Sequence, residues 1–169
     1  VDVLGDMSLR INREIAVYKN RVERYPNNLT FKYELGYRYM KAKRFPEAIQ
    51  ELQAAQNDPR RKGECLLTLG ECFRQIRQYQ LAKNHYEAAI REIPDRDVEN
   101  KKKALYLAGA LSLGLKNLDA AEKHLTALAA LDFHYKDGSA LLDKLNRLRQ
   151  NQDSAPAAKR ERPGSSAGS

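Results

Sequence analysis

At 169 residues, with 42% apolar residues, two cysteines and a formal charge of +8 spread along its length, the chain is long enough for one domain with a real core. No apolar run approaches the roughly 18–20 residues of a membrane span, and VDVLGDMSLR lacks the basic-then-apolar order of a signal peptide. There is no glycine-rich phosphate loop, metal-ligand spacing or nucleophile motif, so no catalytic, cofactor or metal site is expected and the chain reads as a non-enzyme.

Residues 1–6 form a short lead-in. From Met7 to Arg24, Ile11, Ile15, Tyr18 and Val22 recur at helical spacing, and Tyr25-Pro26-Asn27-Asn28 then stops the helix and offers Asn28 as the next N-cap. A helix over Leu29–Lys41 follows, and after it a second one with Pro46 in its first turn, where a missing N–H costs nothing; Asn57-Asp58-Pro59 ends it. The best-formed unit is Gly63–Pro94. Leu66, Leu69, Phe73 and Ile76 mark one helix, and Leu81, Ala82, Tyr86, Ala89 and Ile90 another. Arg77-Gln78-Tyr79 between them is too short for anything but a tight antiparallel connection. Gly70 and Ala82 let the two backbones approach, with Phe73 and Tyr86 on the flanks. IPDRDVENKKK has no glycine, which predicts a helix starting near Asp97 rather than a loop, its acidic residues suiting the N-terminus. Beyond it, Leu141, Leu142, Leu145 and Leu148 predict an amphipathic helix over 135–150, and residues 151–169, rich in Ser, Ala, Pro and Gly, are expected to be disordered.

The units repeat. Leu69, Gly70, Phe73, Ala82, Tyr86 and Ala89 have counterparts 34 residues earlier in Leu35, Gly36, Tyr39, Ala48, Leu52 and Ala55. A weaker copy 39 residues later keeps Gly109 and Ala121, and Tyr18 and Pro26 match Tyr86 and Pro94. This period and the pattern Leu66, Leu69-Gly70, Phe73, Ala82, Tyr86, Ala89, Pro94 resemble the tetratricopeptide repeat over roughly Asn27 to Asp132. Lys32, Ser112 and Phe133 depart from that family's preferences for Trp, an aromatic and Pro. The resemblance implies an all-α, right-handed superhelical stack of antiparallel helix pairs. It divides the chain into a half repeat at 7–26, repeats at 29–60, 63–94 and 97–133, and a capping helix at 135–150 that covers the last repeat. The outer side of the first helix would meet a further repeat if the natural protein extends upstream.

In this family the first helices line a concave groove. Tyr33, Tyr37 and Met40 lie at i, i+4 and i+7 and point away from Leu35, Gly36 and Tyr39, so the resemblance assigns them to a ligand surface. Their equivalents are Leu67, Glu71 and Arg74, then Tyr106, Ala110 and Leu113, and Lys103 joins them. The expected groove is aromatic and apolar with a little charge; the competing reading packs Tyr33 and Tyr37 against neighbouring helices. A family subclass clamps the carboxylate of chaperone tails with Lys, Asn, Asn, Lys and Arg. The matching positions here are Tyr33, Tyr37, Thr68, Lys103 and Leu107, and only Lys103 fits, which excludes that ligand.

Cys65 and Cys72, seven apart on one helix, are about 10 Å apart along its axis and beyond disulfide reach; they are expected reduced, which favours the cytoplasm. His85 and His124 are expected on the surface of second helices, and His134 at a boundary. The reading that follows is a scaffold holding a peptide or helix of a partner protein in the groove, with no specific nucleic acid and no membrane. Two alternatives stand beside it. One is RNA binding through Lys41, Lys43, Arg44, Arg60, Arg61, Lys62 and Lys101–Lys103, which fall at turns and helix starts; the other is a structural role as the self-assembling end of a longer solenoid.

Overall fold

A computed structural model describes residues 3–154, and among them the chain is eight α-helices without a strand. α1 spans Val3–Arg24, α2 Leu29–Lys41, α3 Phe45–Ala55, α4 Lys62–Gln75, α5 Tyr79–Glu92, α6 Val98–Gly114, α7 Leu118–Leu131 and α8 Gly138–Ser154. Each helix packs chiefly on its neighbours in sequence, most extensively within the pairs α2–α3, α4–α5 and α6–α7. The result is a solenoid, whose core is a series of interfaces rather than one centre.

Local chemistry sets the boundaries. The Asn28, Asp97 and Asn117 side chains cap α2, α6 and α7, accepting from the N–H of Phe31 at 3.0 Å, Asn100 at 3.3 Å and Ala120 at 3.2 Å. Each pair turns through a left-handed residue that is not glycine: Lys43, Arg77 and Lys116, with φ of 61°, 63° and 60°. The following N–H groups of Arg44, Gln78 and Asn117 reach back to the carbonyls of Tyr39, Phe73 and Ser112, closing the helix ends and holding the turns against the cost of that conformation.

The close approach within each pair differs in one detail from the sequence expectation. A Cβ built on Gly70 would lie 2.5 Å from Tyr86 Cδ1, on Gly36 2.7 Å from Leu52 Cγ, and on Gly109 2.7 Å from Leu125 Cδ2. The glycine therefore makes room for the large residue four positions beyond the alanine, and Tyr86 sits over Gly70 rather than at its flank. One apolar cluster runs from Ile15 to Ala108 through α1–α6, and a second gathers Leu113, Leu118, Ala121, Leu125 and Leu145 where α8 covers α6 and α7. α4, inside the stack, is buried without a break from Cys65 to Gly70.

Three boundaries move. α1 begins at Val3, inside the expected lead-in, because its apolar spacing extends back through Val3, Leu4 and Met7. The covering helix runs 138–154 instead of 135–150: the left-handed Lys136 keeps Tyr135–Asp137 out of it, and its far end takes in the start of the expected tail. Residues 155–169, the rest of that tail, lie outside the described residues.

Candidate binding cleft

The first helices α2, α4 and α6 share a concave cleft of about 330 Å³. α2 contributes Tyr33, Glu34, Tyr37 and Met40; α4 Glu64, Leu67, Thr68 and Glu71, with Arg61 just before it; and α6 Asn100 and Lys103. Of the residues expected to form the groove, Tyr33, Tyr37, Met40, Leu67 and Lys103 meet here. Three do not. The Arg74 guanidinium turns back to donate to Glu71 Oε2 at 3.2 Å. The Tyr106 hydroxyl donates to Asp137 Oδ1 and its ring meets Tyr135 edge-on at 5.8 Å. Leu113, 5% exposed, belongs to the cluster under α8. The connector before α8 holds Tyr106, and α8 itself covers Leu113 at the end of α6.

The cleft is more polar than expected, and its walls are prepared by internal bonds. Tyr33 is only 7% exposed; its ring stacks near Tyr37 with centroids 6.3 Å apart and planes 20° apart, and its hydroxyl donates to Glu64 Oε1 at 3.0 Å. Burial first, and the Glu64 charge second, push its phenol far above the ordinary tyrosine range, so it remains a donor. Tyr33 is thus a buried wall of the cleft that fixes Glu64, and Leu67, 3% exposed, is likewise a buried floor. Tyr37 stays half-buried with Lys41 over its ring at 5.0 Å, and Lys103 is exposed. Glu34 accepts from Arg38 and lies 3.6 Å from Arg61. Glu71 accepts the hydroxyl of Tyr86, whose pKa burial raises strongly, Glu71 adding to the rise.

Sequence reasoning missed Glu34, Glu64 and Asn100, and it named Thr68 only as a position of the excluded chaperone-tail clamp and Arg61 only in a basic cluster. A signal existed on α4: Glu64, Thr68 and Glu71 recur at i, i+4 and i+7, the spacing that singled out Tyr33, Tyr37 and Met40, but polar side chains on a helix face read as solvated.

The remaining reactive groups are spoken for. Cys65 and Cys72 are free and buried, and burial pushes both thiols to about 12, which leaves them protonated. His85 Nδ1 lies 2.9 Å from the Leu81 carbonyl oxygen, with the ring against Phe73. His124 departs from expectation: it is buried, not on the surface, because it sits against α6 near Gly109 and Glu87 Oε2 of α5 pairs with its Nε2 at 2.7 Å. His134 is exposed beside Phe133. Among the described residues no group of three His, Cys, Asp or Glu is arranged to hold a metal, and no helix is long and apolar enough to cross a membrane.

No described protein family and no curated protein matches the chain in sequence. Solved structures do match in shape. A crystal structure of MamA superposes with a TM-score of 0.74 at 19% identity, covering 90% of this chain and 88% of that one. A second MamA crystal structure gives 0.66 at 19% identity over 90% and 91%, and a double mutant, MamA RS-1 ArsTM, 0.62 at 18% over 89% and 94%. At that identity the likeness is one of fold, a helical solenoid of the tetratricopeptide type.

Proposed function

We propose that the protein is a scaffold without chemistry of its own, which holds a peptide or helix of a partner protein in the concave cleft of α2, α4 and α6. The observation that carries this reading is the pairing of a rigid floor with a free rim. Tyr33 and Leu67 are locked in place, while Tyr37 and Met40 of α2 offer an aromatic face and a flexible apolar side chain, and Lys103 of α6 offers a cation. A half-exposed tyrosine backed by packed neighbours anchors a ligand at small entropy cost. Glu34 and Glu71 already have internal partners, so the ligand is recognised by shape, stacking and exchange of hydrogen bonds rather than by a bare field.

The RNA reading has no comparable support. In its basic clusters Arg44 pairs with Glu47, Arg60 with Asp58, Arg61 with Glu34, Lys62 with Glu92, Lys101 with Asp95, and Lys102 with Glu99 and Asp132. Those charges would have to leave carboxylates to meet phosphates.

The test is to select peptides from a random library against the native protein and measure each against a Tyr37→Ala plus Lys103→Ala variant. Neither residue is buried, so the variant should keep its helicity. Affinity should fall by at least about 2 kcal/mol, roughly thirtyfold, whereas Tyr106→Ala should change it little. Selected peptides that bind the double variant as tightly as the native chain would place the ligand surface elsewhere.

A further inference from the structure

α1 stands in the register of a second helix whose first helix is absent from the described structure. Counting back 34 and 68 residues, the positions that receive a first helix in the next two pairs, Ala48 and Ala82, Leu52 and Tyr86, Ala55 and Ala89, become Glu14, Tyr18 and Arg21. α1 meets α2 as α3 meets α4 and α5 meets α6, at a junction between pairs, so its other side has no described helix packed on it. A furrow of about 510 Å³ lies there, lined among others by Leu9, Arg10, Arg13, Val17, Tyr18 and Arg21. Through Val17 and Arg21 it continues into a second furrow that ends at Arg24, Tyr25 and Phe31.

The chemistry of this face differs from that of the equivalent faces of α3 and α5. Leu9 is 57% and Val17 48% exposed, so apolar surface is left uncovered along the furrow. Among the described residues Arg13 has no ion-pair partner. Arg21 lies over the rings of Tyr18 at 4.8 Å and Phe31 at 5.7 Å, and Arg24 over Tyr25 at 5.8 Å, but neither meets a carboxylate. Glu14 is already shared between Arg10 at 3.7 Å and Arg38 at 3.4 Å. A helix like α2 or α4, whose glycine closes on a large apolar residue beside an alanine, would meet Arg21 where those helices meet Ala55 and Ala89. The chain's own C-terminal stretch, with Lys159, Arg160 and Arg162 against Glu161, has the wrong sign.

We infer that this face of α1 docks an acidic amphipathic helix of a partner protein, its apolar side on Leu9 and Val17 and its carboxylates on Arg13, Arg21 and Arg24. The arginines and apolar side chains share one furrow about 27 Å long, counted from Asp6 to Arg24, which suits a helix lying along it. A phosphate-bearing surface would engage only the arginines and leave Leu9 and Val17 unsatisfied.

The probe is a synthetic stapled helix of about 16 residues with leucines at i, i+4, i+7 and i+11 and glutamates along both borders, titrated into the full chain by fluorescence anisotropy. It should bind saturably, and at least tenfold more tightly than the same helix with lysines in place of the glutamates. Arg13→Glu plus Arg21→Glu, at two exposed positions, should weaken it by at least tenfold with an unchanged circular dichroism spectrum, and Tyr37→Ala should leave it unaltered. Equal binding of the two helices, binding indifferent to the arginine substitutions, or no binding would overturn the inference. So would a chain that ignores the peptide yet binds anionic phosphatidylglycerol vesicles or poly(U) through Arg13 and Arg21.

Discussion

Adding one methyl group at Gly70 should be felt throughout the central pair. The new Cβ would stand 2.5 and 2.6 Å from Cδ1 and Cε1 of Tyr86, against the 3.4–4 Å of ordinary contact, so the ring must retreat by about 1 Å. Tyr86 is completely buried and its hydroxyl is held by Glu71, so it has nowhere to go without pressing on neighbours and loosening that bond. Overpacking of this kind costs about 1–3 kcal/mol and the weakened hydrogen bond about 1 kcal/mol more. Replacing a mid-helix glycine by alanine returns about 1 kcal/mol. Gly70→Ala should therefore destabilise by about 1–3 kcal/mol, a fall in Tm of roughly 3–10 °C at this chain length, measured by thermal and urea unfolding. In a Tyr86→Ala background the clash is gone, and the same change should be neutral or stabilising by up to about 1 kcal/mol. Gly114→Ala is the control, because a Cβ there meets nothing within 4 Å. A Gly70→Ala protein at least as stable as the native one would refute the close approach on which the pair is built.

Two further outcomes follow from other parts of the stack. Leu145 is the buried anchor of α8 against Leu113, Leu118 and Leu125, so Leu145→Ala should cost about 2–5 kcal/mol in urea unfolding; a loss under about 1 kcal/mol would mean that α8 does not cover the end of the solenoid. Burial pushes the Glu87 carboxyl upward, but hydrogen bonds from His124 and Lys83 outweigh it and hold the group below its ordinary value of 4.5. A carboxyl that titrates lower folded than unfolded contributes stability above the unfolded value and loses it as pH falls through the folded one. Glu87→Gln should then lower stability by about 1–2 kcal/mol at pH 7 and converge on the native chain as pH falls through the folded value; a gap that stays constant as pH falls would contradict the pairing.

The repeat register was legible because it rests on residues whose size alone decides packing. Gly36, Gly70 and Gly109 with Ala48, Ala82 and Ala121 recur at spacings that only paired helices satisfy, and Asn28 and Asp97 cap the helices they were expected to start. The turns were not legible in the same way. Lys43, Arg77 and Lys116 adopt a conformation usually marked by glycine, and only the carbonyls they help to satisfy reveal it. Burial of His124 was hidden for a related reason: its partner Glu87 is 37 residues away on another helix, and a lone histidine on a helix face reads as solvated. The cleft was half legible. Helical spacing placed Tyr33, Tyr37 and Met40 on one face, but whether a tyrosine there is floor or rim depends on the helix opposite, and Glu64 drew Tyr33 inward. Tyr106 and Leu113 lie outside the cleft of α2, α4 and α6 because the connector before α8 holds the one and α8 covers the other, contacts that reading the third repeat as equivalent to its neighbours does not show.

The two binding surfaces should respond differently to salt, and the reason lies in how each treats its charges. In the concave cleft Glu34, Glu64 and Glu71 each accept from a group of the protein itself, so an incoming ligand trades one bond for another and gains little from long-range attraction. Along α1 Arg21 and Arg24 lean on rings and Arg13 has no ion-pair partner among the described residues, so a carboxylate arriving there meets charges that no described carboxylate of the protein holds. Ionic strength should thus weaken a ligand on α1 steeply and one in the cleft only slightly. A chain built from one repeated unit carries two chemically distinct faces because the positions that are Ala48 and Ala55 in α3, and Ala82 and Ala89 in α5, are Glu14 and Arg21 in α1.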